Sequence, residues 1–296
     1  MNYLKTMNAL SAALAPKNTL MSRLAAYFVA LGLVFLSFGQ HTAQAADRDN
    51  VAAFLKITGF DVALDSIAFT ASAAPTMLGL EEEDFGLQWQ TLADDVFDTT
   101  LMRTKALNIL EATLEDDMLA HAAEFYASDL GQRLVAMENA SYNSDETDKE
   151  REGSALLAAL EAAEDPRIDL FQRMSMAIDP EDVGSKAMTE IQVRFILAAS
   201  YAGVISLRTD EDGLRATLNE NAEELAAELE QSALENSAYT YRDFSVAELT
   251  AYTEALEQPE MMTVYELMNA VHFAVMSDRF EALALRMAEL QPAQEL

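Results

Sequence analysis

Two histidines, His121 and His272, are the main candidates for acid–base or metal chemistry beyond residue 45. Neither belongs to an H-E-x-x-H or E-x-x-H pair, the spacings that place two metal ligands on one helix face. Glu124 follows His121 by three residues and could share a metal with it, but a surface pair on an acidic helix is the simpler interpretation. We expect His272, in the stretch MNAVHFAVM, to be a partly buried helix residue.

Three acidic clusters resemble calcium ligands in composition only: Glu81 to Asp84, Glu115 to Asp117, and Thr209 to Gly213. None has the twelve-residue loop pattern with glycine at position six and glutamate at position twelve. The sequence also has no cysteine, no G-x-S-x-G motif, no phosphate loop and no dinucleotide fingerprint. We therefore predict no catalytic residue, no metal site and no cofactor.

The first 45 residues have the order of a secretory signal peptide. Three bases and no acid accompany an apolar run from Leu24 to Phe38, and Ala43 and Ala45 form an A-x-A cleavage site. We predict cleavage after Ala45 and a periplasmic mature protein; initiation at Met21, which we expect, gives a signal of ordinary length. The alternative is an uncleaved membrane anchor, because the apolar run is only slightly short of a bilayer span.

The remaining chain is strongly acidic. The signal contains three of the 19 bases and none of the 50 acids, which leaves 16 bases and a formal charge of −34. Such a chain repels phosphate backbones, so we predict no nucleic-acid binding and no adsorption to an anionic membrane.

Beyond the signal, glycine and proline are scarce, and apolar residues recur with helical spacing, as in Val51, Phe54 and Leu55. Turn signals typical of β-hairpins are missing between alternating apolar runs. We predict an all-α fold: a multi-helix bundle of two related helical halves, residues 46–145 and 146–296.

Two segments define this predicted organisation. The polar stretch Ser141 to Gly153 is expected to separate the halves. The run FILAASYAGVISL, Phe195 to Leu207, is apolar on all sides but too short to cross a bilayer. It predicts a buried helix that anchors the second half.

The stretch EFYASDLGQRLVAMENAS, starting at Glu124, interrupts an amphipathic helix at Asp-Leu-Gly. This pattern predicts a helix–helix corner in which Ser128 or the following aspartate caps the second helix. A helical glycine costs about 1 kcal/mol relative to alanine, so Gly131 indicates a close approach of two backbone segments. We expect Phe125 and Tyr126 to pack against the returning helix.

A near-echo of this stretch occurs at SVAELTAYTEALEQPEMMTVYELM. Alignment of Leu119 with Leu249 places Asp129 opposite Pro259, and proline suits the first position of a helix. A capping box begins at Ser245. The echo predicts a second corner and an internal repeat.

The first corner resembles the signature of the bacterial family catalogued as domain of unknown function 2059. The matching residues are Phe125, Tyr126, Ser128, Gly131, Gln132 and Arg133, while Asp129 stands where proline is usual. The resemblance is best over Val51 to Ser141 and faint in the C-terminal half. It implies an exported all-helical protein without an assigned activity, and it supplies no catalytic residue.

We expect a non-catalytic function: a periplasmic interaction or chaperone-like module that binds an envelope protein or an apolar ligand in a groove between helices. The candidate groove or corner residues are Phe125, Tyr126, Gly131 and Gln132. Methionines such as Met268 suit an adaptable groove, although core filling is the simpler interpretation. An envelope hydrolase with a carboxylate pair is the alternative, and a carboxylate with a raised pKa in an apolar pocket would favour it. A structural protein without a groove is the third.

Overall fold

A computed structural model describes residues 47–290, in which the chain is almost wholly helical and no β-strand occurs. The helices are α1 (Arg48–Ile57), α2 (Phe60–Ser66), α3 (Ala74–Met77), α4 (Trp89–Val96), α5 (Thr99–Thr113), α6 (Asp116–Tyr126), α7 (Asp129–Tyr142), α8 (Glu146–Ala162), α9 (Arg167–Ile178), α10 (Val183–Tyr201), α11 (Glu211–Asn219), α12 (Ala222–Thr240), α13 (Val246–Leu256) and α14 (Pro259–Leu290). Two 3-10 helices, Ile67–Ala73 and Glu82–Gln88, flank α3. The predicted all-α class is confirmed, and the predicted signal peptide lies outside the described residues.

The long helix α14 is the element around which the others pack. Its 32 residues contact α4, α5 and α6 from the first half and α9, α10 and α13 from the second. Its buried side chains include Val264, Val271, Val275, Leu283 and Met287. Because apolar side chains of both halves surround this helix, residues 47–290 share one hydrophobic core.

The division predicted at residues 141–153 is a short turn in the structure. Only Asn143–Asp145 separates α7 from α8, and the Asp145 side chain accepts a 3.0 Å hydrogen bond from the backbone N–H of Asp148. Residues 146–153 are therefore helical rather than part of a polar break, because an N-cap and acidic residues in the first turn favour a helix start. That the two halves are related remains a prediction.

The helix predicted over Phe195 to Leu207 ends earlier than expected. α10 stops at Tyr201, and Gly203 follows with a φ of 80°. The N–H of Val204 bonds to the Ala199 carbonyl over 2.9 Å, which completes a Schellman motif around the left-handed glycine. Phe195, Ile196 and Ala199 of the run are buried, and α10 packs on α14, but Tyr201 is 67% exposed, so the helical part of the run is not buried on all sides.

Candidate functional site

The predicted helix–helix corner lies between α6 and α7. Ser128 caps α7 by accepting a 3.0 Å hydrogen bond from the N–H of Gly131. A Cβ at Gly131 would lie 2.6 Å from Cα of Tyr126, which confirms the predicted close backbone approach. The Gln132 side chain is exposed and donates to the Ala127 carbonyl over 2.8 Å, so it satisfies an acceptor at the end of α6.

The second corner, between α13 and α14, has the same dimensions as the first. α6 and α13 each contain 11 residues, and two residues separate each of them from the next helix. Ser245 and Glu248 form the predicted capping box, and Pro259 begins α14. The helix bounds of the two corners thus correspond as the alignment predicted, while an internal repeat remains a prediction.

Phe125 and Tyr126 pack differently from the expectation. Their rings contact the second half of the chain rather than only the returning helix α7. The Phe125 ring stacks on the ring of Tyr252 in α13, with centroids 5.7 Å apart and planes 7° from parallel. Tyr126 is buried, and its hydroxyl hydrogen-bonds to the hydroxyl of Tyr265 in α14. The reason is the position of α13 and α14, whose aromatic side chains fill the space beside the first corner.

Tyr126, Tyr252 and Tyr265 form a cluster of three phenol hydroxyls. The Tyr252 hydroxyl lies 3.4 Å from that of Tyr126 and 3.3 Å from that of Tyr265. Burial raises the pKa of all three phenols, with a further contribution from neighbouring phenol and carboxylate groups. The hydroxyls therefore stay protonated and act as hydrogen-bond donors.

The carboxylate of Glu138 in α7 lies next to this cluster. Its Oε1 accepts a 2.7 Å hydrogen bond from the Tyr241 hydroxyl and a 3.0 Å bond from the Tyr252 hydroxyl. Burial raises the pKa of Glu138, and these two hydrogen bonds oppose the rise because they stabilise the ionised form. The opposing effects leave a partly buried carboxyl that retains its proton more readily than a surface glutamate.

The second carboxyl oxygen of Glu138, Oε2, is available as a hydrogen-bond acceptor for a ligand. Oε2 has no hydrogen-bond partner among residues 47–290. Within the same range, Oδ1 of Asn139 is the sole side-chain oxygen or nitrogen that is both fully buried and without a hydrogen-bond partner. Because Oε2 of Glu138 also has no partner, it cannot be fully buried and is in contact with solvent. Two neighbouring acceptor oxygens on α7 thus lack donors.

Glu138 and Asn139 line a cleft of about 520 Å³ in which α2, α7 and α8 face α12, α13 and α14. Its other lining side chains include Phe60, Lys149, Tyr265 and Phe273. The cleft is therefore lined by residues from both halves of the chain. It differs from the predicted apolar groove because amides, hydroxyls, a lysine and a carboxylate share the lining with aromatic rings, and Met268 is its single methionine among the described residues.

The four candidate residues named from the sequence support this cleft without lining it. Tyr126 lies among the hydroxyls beneath it, and Phe125 positions Tyr252 by stacking. Gly131 and Gln132 shape the corner. Tyr126 alone of the four hydrogen-bonds to residues that line the cleft.

Sequence reasoning missed Glu138, although its position gives a signal. Glu138 follows Gly131, Leu134 and Val135 with helical spacing and precedes Tyr142 by four residues, which places a carboxylate on the buried stripe of α7. Charged residues are rarely buried without a partner, so this position could have been selected as a candidate. Its tyrosine partners lie more than 100 residues away in sequence and have no comparable signal.

Other features of the described residues offer weaker sites. A second depression of about 740 Å³ lies beside Phe69 and Trp89, and its acidic and amide side chains, such as Glu82, Gln90 and Asp94, are exposed to water. Within residues 47–290 no group of three or more His, Asp or Glu side chains is arranged to hold a metal ion. No helix in that range has the length and apolar character needed to cross a membrane.

Comparison with protein families finds one match. Residues 101–156 match the family described as "Uncharacterized protein conserved in bacteria (DUF2059)". The match confirms the resemblance over this segment, which runs from α5 into α8 and contains the first corner, Glu138 and Lys149. Comparison with curated proteins and with solved structures found no match.

Proposed function

We propose that the protein is an exported, non-catalytic binding protein whose ligand site is the cleft between the two halves. The observation that carries this proposal is the partly buried Glu138, which lines the cleft with one carboxyl oxygen held by two tyrosines and the other without a partner. Concave sites of a few hundred cubic ångströms with a few placed polar groups are typical of ligand binding.

Two aliphatic hydroxyls that line the cleft lack the partner that a nucleophile needs. Thr58 donates to the Phe54 carbonyl over 2.9 Å, and Ser66 donates to the Ala63 carbonyl over 2.8 Å. A nucleophilic hydroxyl needs a hydrogen bond to a base that removes its proton. Because these two donate to backbone carbonyls, they have no activating partner.

Export is part of the proposal and is supported by the N-terminal sequence. The bases, apolar run and A-x-A of residues 1–45 have the order of a cleaved signal, and the resemblance to an exported family agrees with it. A periplasmic location would give the cleft access to envelope components.

A blocked cleft tests the binding role. Ser237 lines the cleft from α12, so Ser237→Trp should fill it, while Ser154→Trp adds the same side chain at an exposed position of α8. The probe is the dialysable fraction of a bacterial periplasmic extract, with thermal unfolding and native mass spectrometry as readouts. A ligand at about 100 times its Kd stabilises the native state by about 2.7 kcal/mol. We expect stabilisation of the wild type and of Ser154→Trp but not of Ser237→Trp. Equal stabilisation of both variants, or none of the wild type, would contradict the proposal.

The envelope hydrolase is a second candidate because Glu138 has the raised pKa expected of a general acid. A carboxylate pair, however, requires a second acid, and Glu138 is the single carboxylate lining the cleft among the described residues. A screen of glycoside, ester and amide substrates decides between the two. Turnover by the wild type that disappears in Glu138→Gln would favour the hydrolase.

A further inference from the structure

We infer that the cleft recognises small molecules through a protonated amine, which pairs with Oε2 of Glu138 while its apolar portion lies against the aromatic rings. This inference rests on the proposed binding function and specifies the chemical class of the ligand.

The first argument is that Glu138 lacks a counter-ion. No Lys, Arg or His nitrogen of residues 47–290 lies within salt-bridge distance of its carboxylate. Lys149 lines the same cleft, but its ammonium is paired with Glu146 at 2.7 Å. A partly buried carboxylate without a cation is costly when ionised, and a cation from solution removes that cost.

The second argument is the arrangement of donors and acceptors. Tyr241 and Tyr252 both donate to Oε1, and no donor within residues 47–290 reaches Oε2. The Oδ1 of Asn139, the next residue of α7, is also unpartnered but is buried against Gly59, so Oε2 of Glu138 is the acceptor within reach of a ligand. An ammonium group has three N–H donors and no acceptor, and it therefore complements such a site.

The third argument is the aromatic lining. Phe60, Tyr265 and Phe273 line the cleft together with Glu138. Aromatic faces attract cations and also cover hydrocarbon, so they suit an amine on an aliphatic or aromatic stem. A volume of about 520 Å³ holds a small molecule, and the formal charge of −34 beyond the signal raises the local concentration of cations.

The amine site should depend on pH because an ammonium pairs with the ionised form of Glu138. The other titratable groups facing it are Tyr126, Tyr142, Tyr241, Tyr252, Tyr265, His272 and Lys149. Burial raises the pKa of each of these tyrosines, so the phenols stay neutral in the working range. Burial lowers the pKa of His272 to about 4, so its ring is neutral above pH 5. Affinity should therefore rise as pH rises through the raised pKa of Glu138, with release of a proton on binding below it.

Isothermal titration calorimetry with the full mature chain tests the inference. The probes are 2-phenylethylamine and cadaverine, with 2-phenylethanol as the neutral analogue and a blocked Ala-Lys-Ala peptide as a lysine side chain. We expect 2-phenylethylamine to bind about tenfold or more tightly than 2-phenylethanol, because charged hydrogen bonds are roughly twice as strong as neutral ones. Glu138→Gln should lose this preference. Glu161→Gln, which removes the same charge from an exposed position of α8, should keep it.

The outcomes separate this inference from the proposed function. Stabilisation by periplasmic extract that Ser237→Trp abolishes, together with equal binding of amine and alcohol, would overturn the amine assignment and leave the binding function standing. Tighter binding of the lysine peptide than of either free amine would overturn the small-molecule assignment. Absence of binding by every probe and by the extract would overturn both proposals.

Discussion

The hydroxyl of Tyr252 donates to Oε1 of Glu138 over 3.0 Å and thereby connects α13 to α7 across 114 residues of sequence. The same ring stacks on Phe125 at the end of α6. One side chain therefore couples the predicted corner to the carboxylate that sequence reasoning missed. The pKa of Glu138 depends on this contact, because the hydrogen bond lowers it and burial raises it.

Glu138 should make the protein less stable at neutral pH than at acidic pH. Since its pKa is raised in the native state, the favourable contribution of the protonated carboxyl is present below the pKa of the unfolded chain and is lost as pH rises through the native pKa. We therefore expect the free energy of unfolding of Glu138→Gln, measured in urea, to increase relative to that of the wild type as pH rises from 4 to 8. Tyr252→Phe removes a donor to the ionised form and should raise the pKa of Glu138 further. A constant difference across this range would contradict the prediction.

Gly131→Ala should destabilise the protein by about 2 to 3 kcal/mol, although alanine is the better helix former. The physical reason is the backbone of Tyr126, whose Cα would lie 2.6 Å from the added methyl. Urea unfolding measures the change. Ala136→Gly, at an exposed position of the same helix, provides the helix-propensity reference and should cost about 1 kcal/mol. Stabilisation by Gly131→Ala would mean that the corner opens freely.

His272 should make the protein sensitive to acid. Burial lowers the pKa of its imidazole to about 4, compared with about 6.5 in an unfolded chain. Between these values the unfolded state takes up the proton first, so stability falls as pH decreases from about 6.5 towards 4. The ring is partly exposed, and we therefore expect a loss of about 2 kcal/mol, less than the full shift implies. His272→Gln should remove this portion of the pH dependence in urea titrations at matched pH values.

Ala45→Leu should block cleavage of the predicted signal peptide, because a signal peptidase requires a small residue at this position. N-terminal sequencing of the periplasmic fraction should find a mature chain beginning at Ala46 in the wild type and an uncleaved precursor in the variant. A cytoplasmic wild-type protein would contradict both the signal and the proposed location.

Local signals made the helix class and several helix ends predictable. Ser128 and Ser245 mark helix starts through caps whose partners lie three residues away, so no tertiary information is needed. The predicted end of the helix that contains Phe195 was wrong because a local signal was overlooked. The apolar character of the run suggested one continuous buried helix, but the backbone freedom of Gly203 ends the helix at Tyr201, well before the run ends at Leu207.

The candidate site was less predictable because it is formed by tertiary contacts. The spacing of Glu138 on the buried stripe of α7 is visible in the sequence, but its partners Tyr241 and Tyr252 are brought to it only when α12 and α13 dock. The polar lining of the cleft has the same origin. The methionines suited either an adaptable groove or, as the simpler interpretation, core filling; Met261, Met276 and Met287 are buried in the core, while Met268 is buried and also lines the cleft.

The central position of α14 also affects when the chain can fold. This helix follows in sequence every helix that it packs against, including α4, α5 and α6. During synthesis, the earlier helices can pack on one another, but the apolar side chains that they direct towards α14 have no partner there until residues 259–290 have emerged from the ribosome. The complete fold therefore requires nearly the whole polypeptide, and a chain that has not yet folded would suit the proposed export.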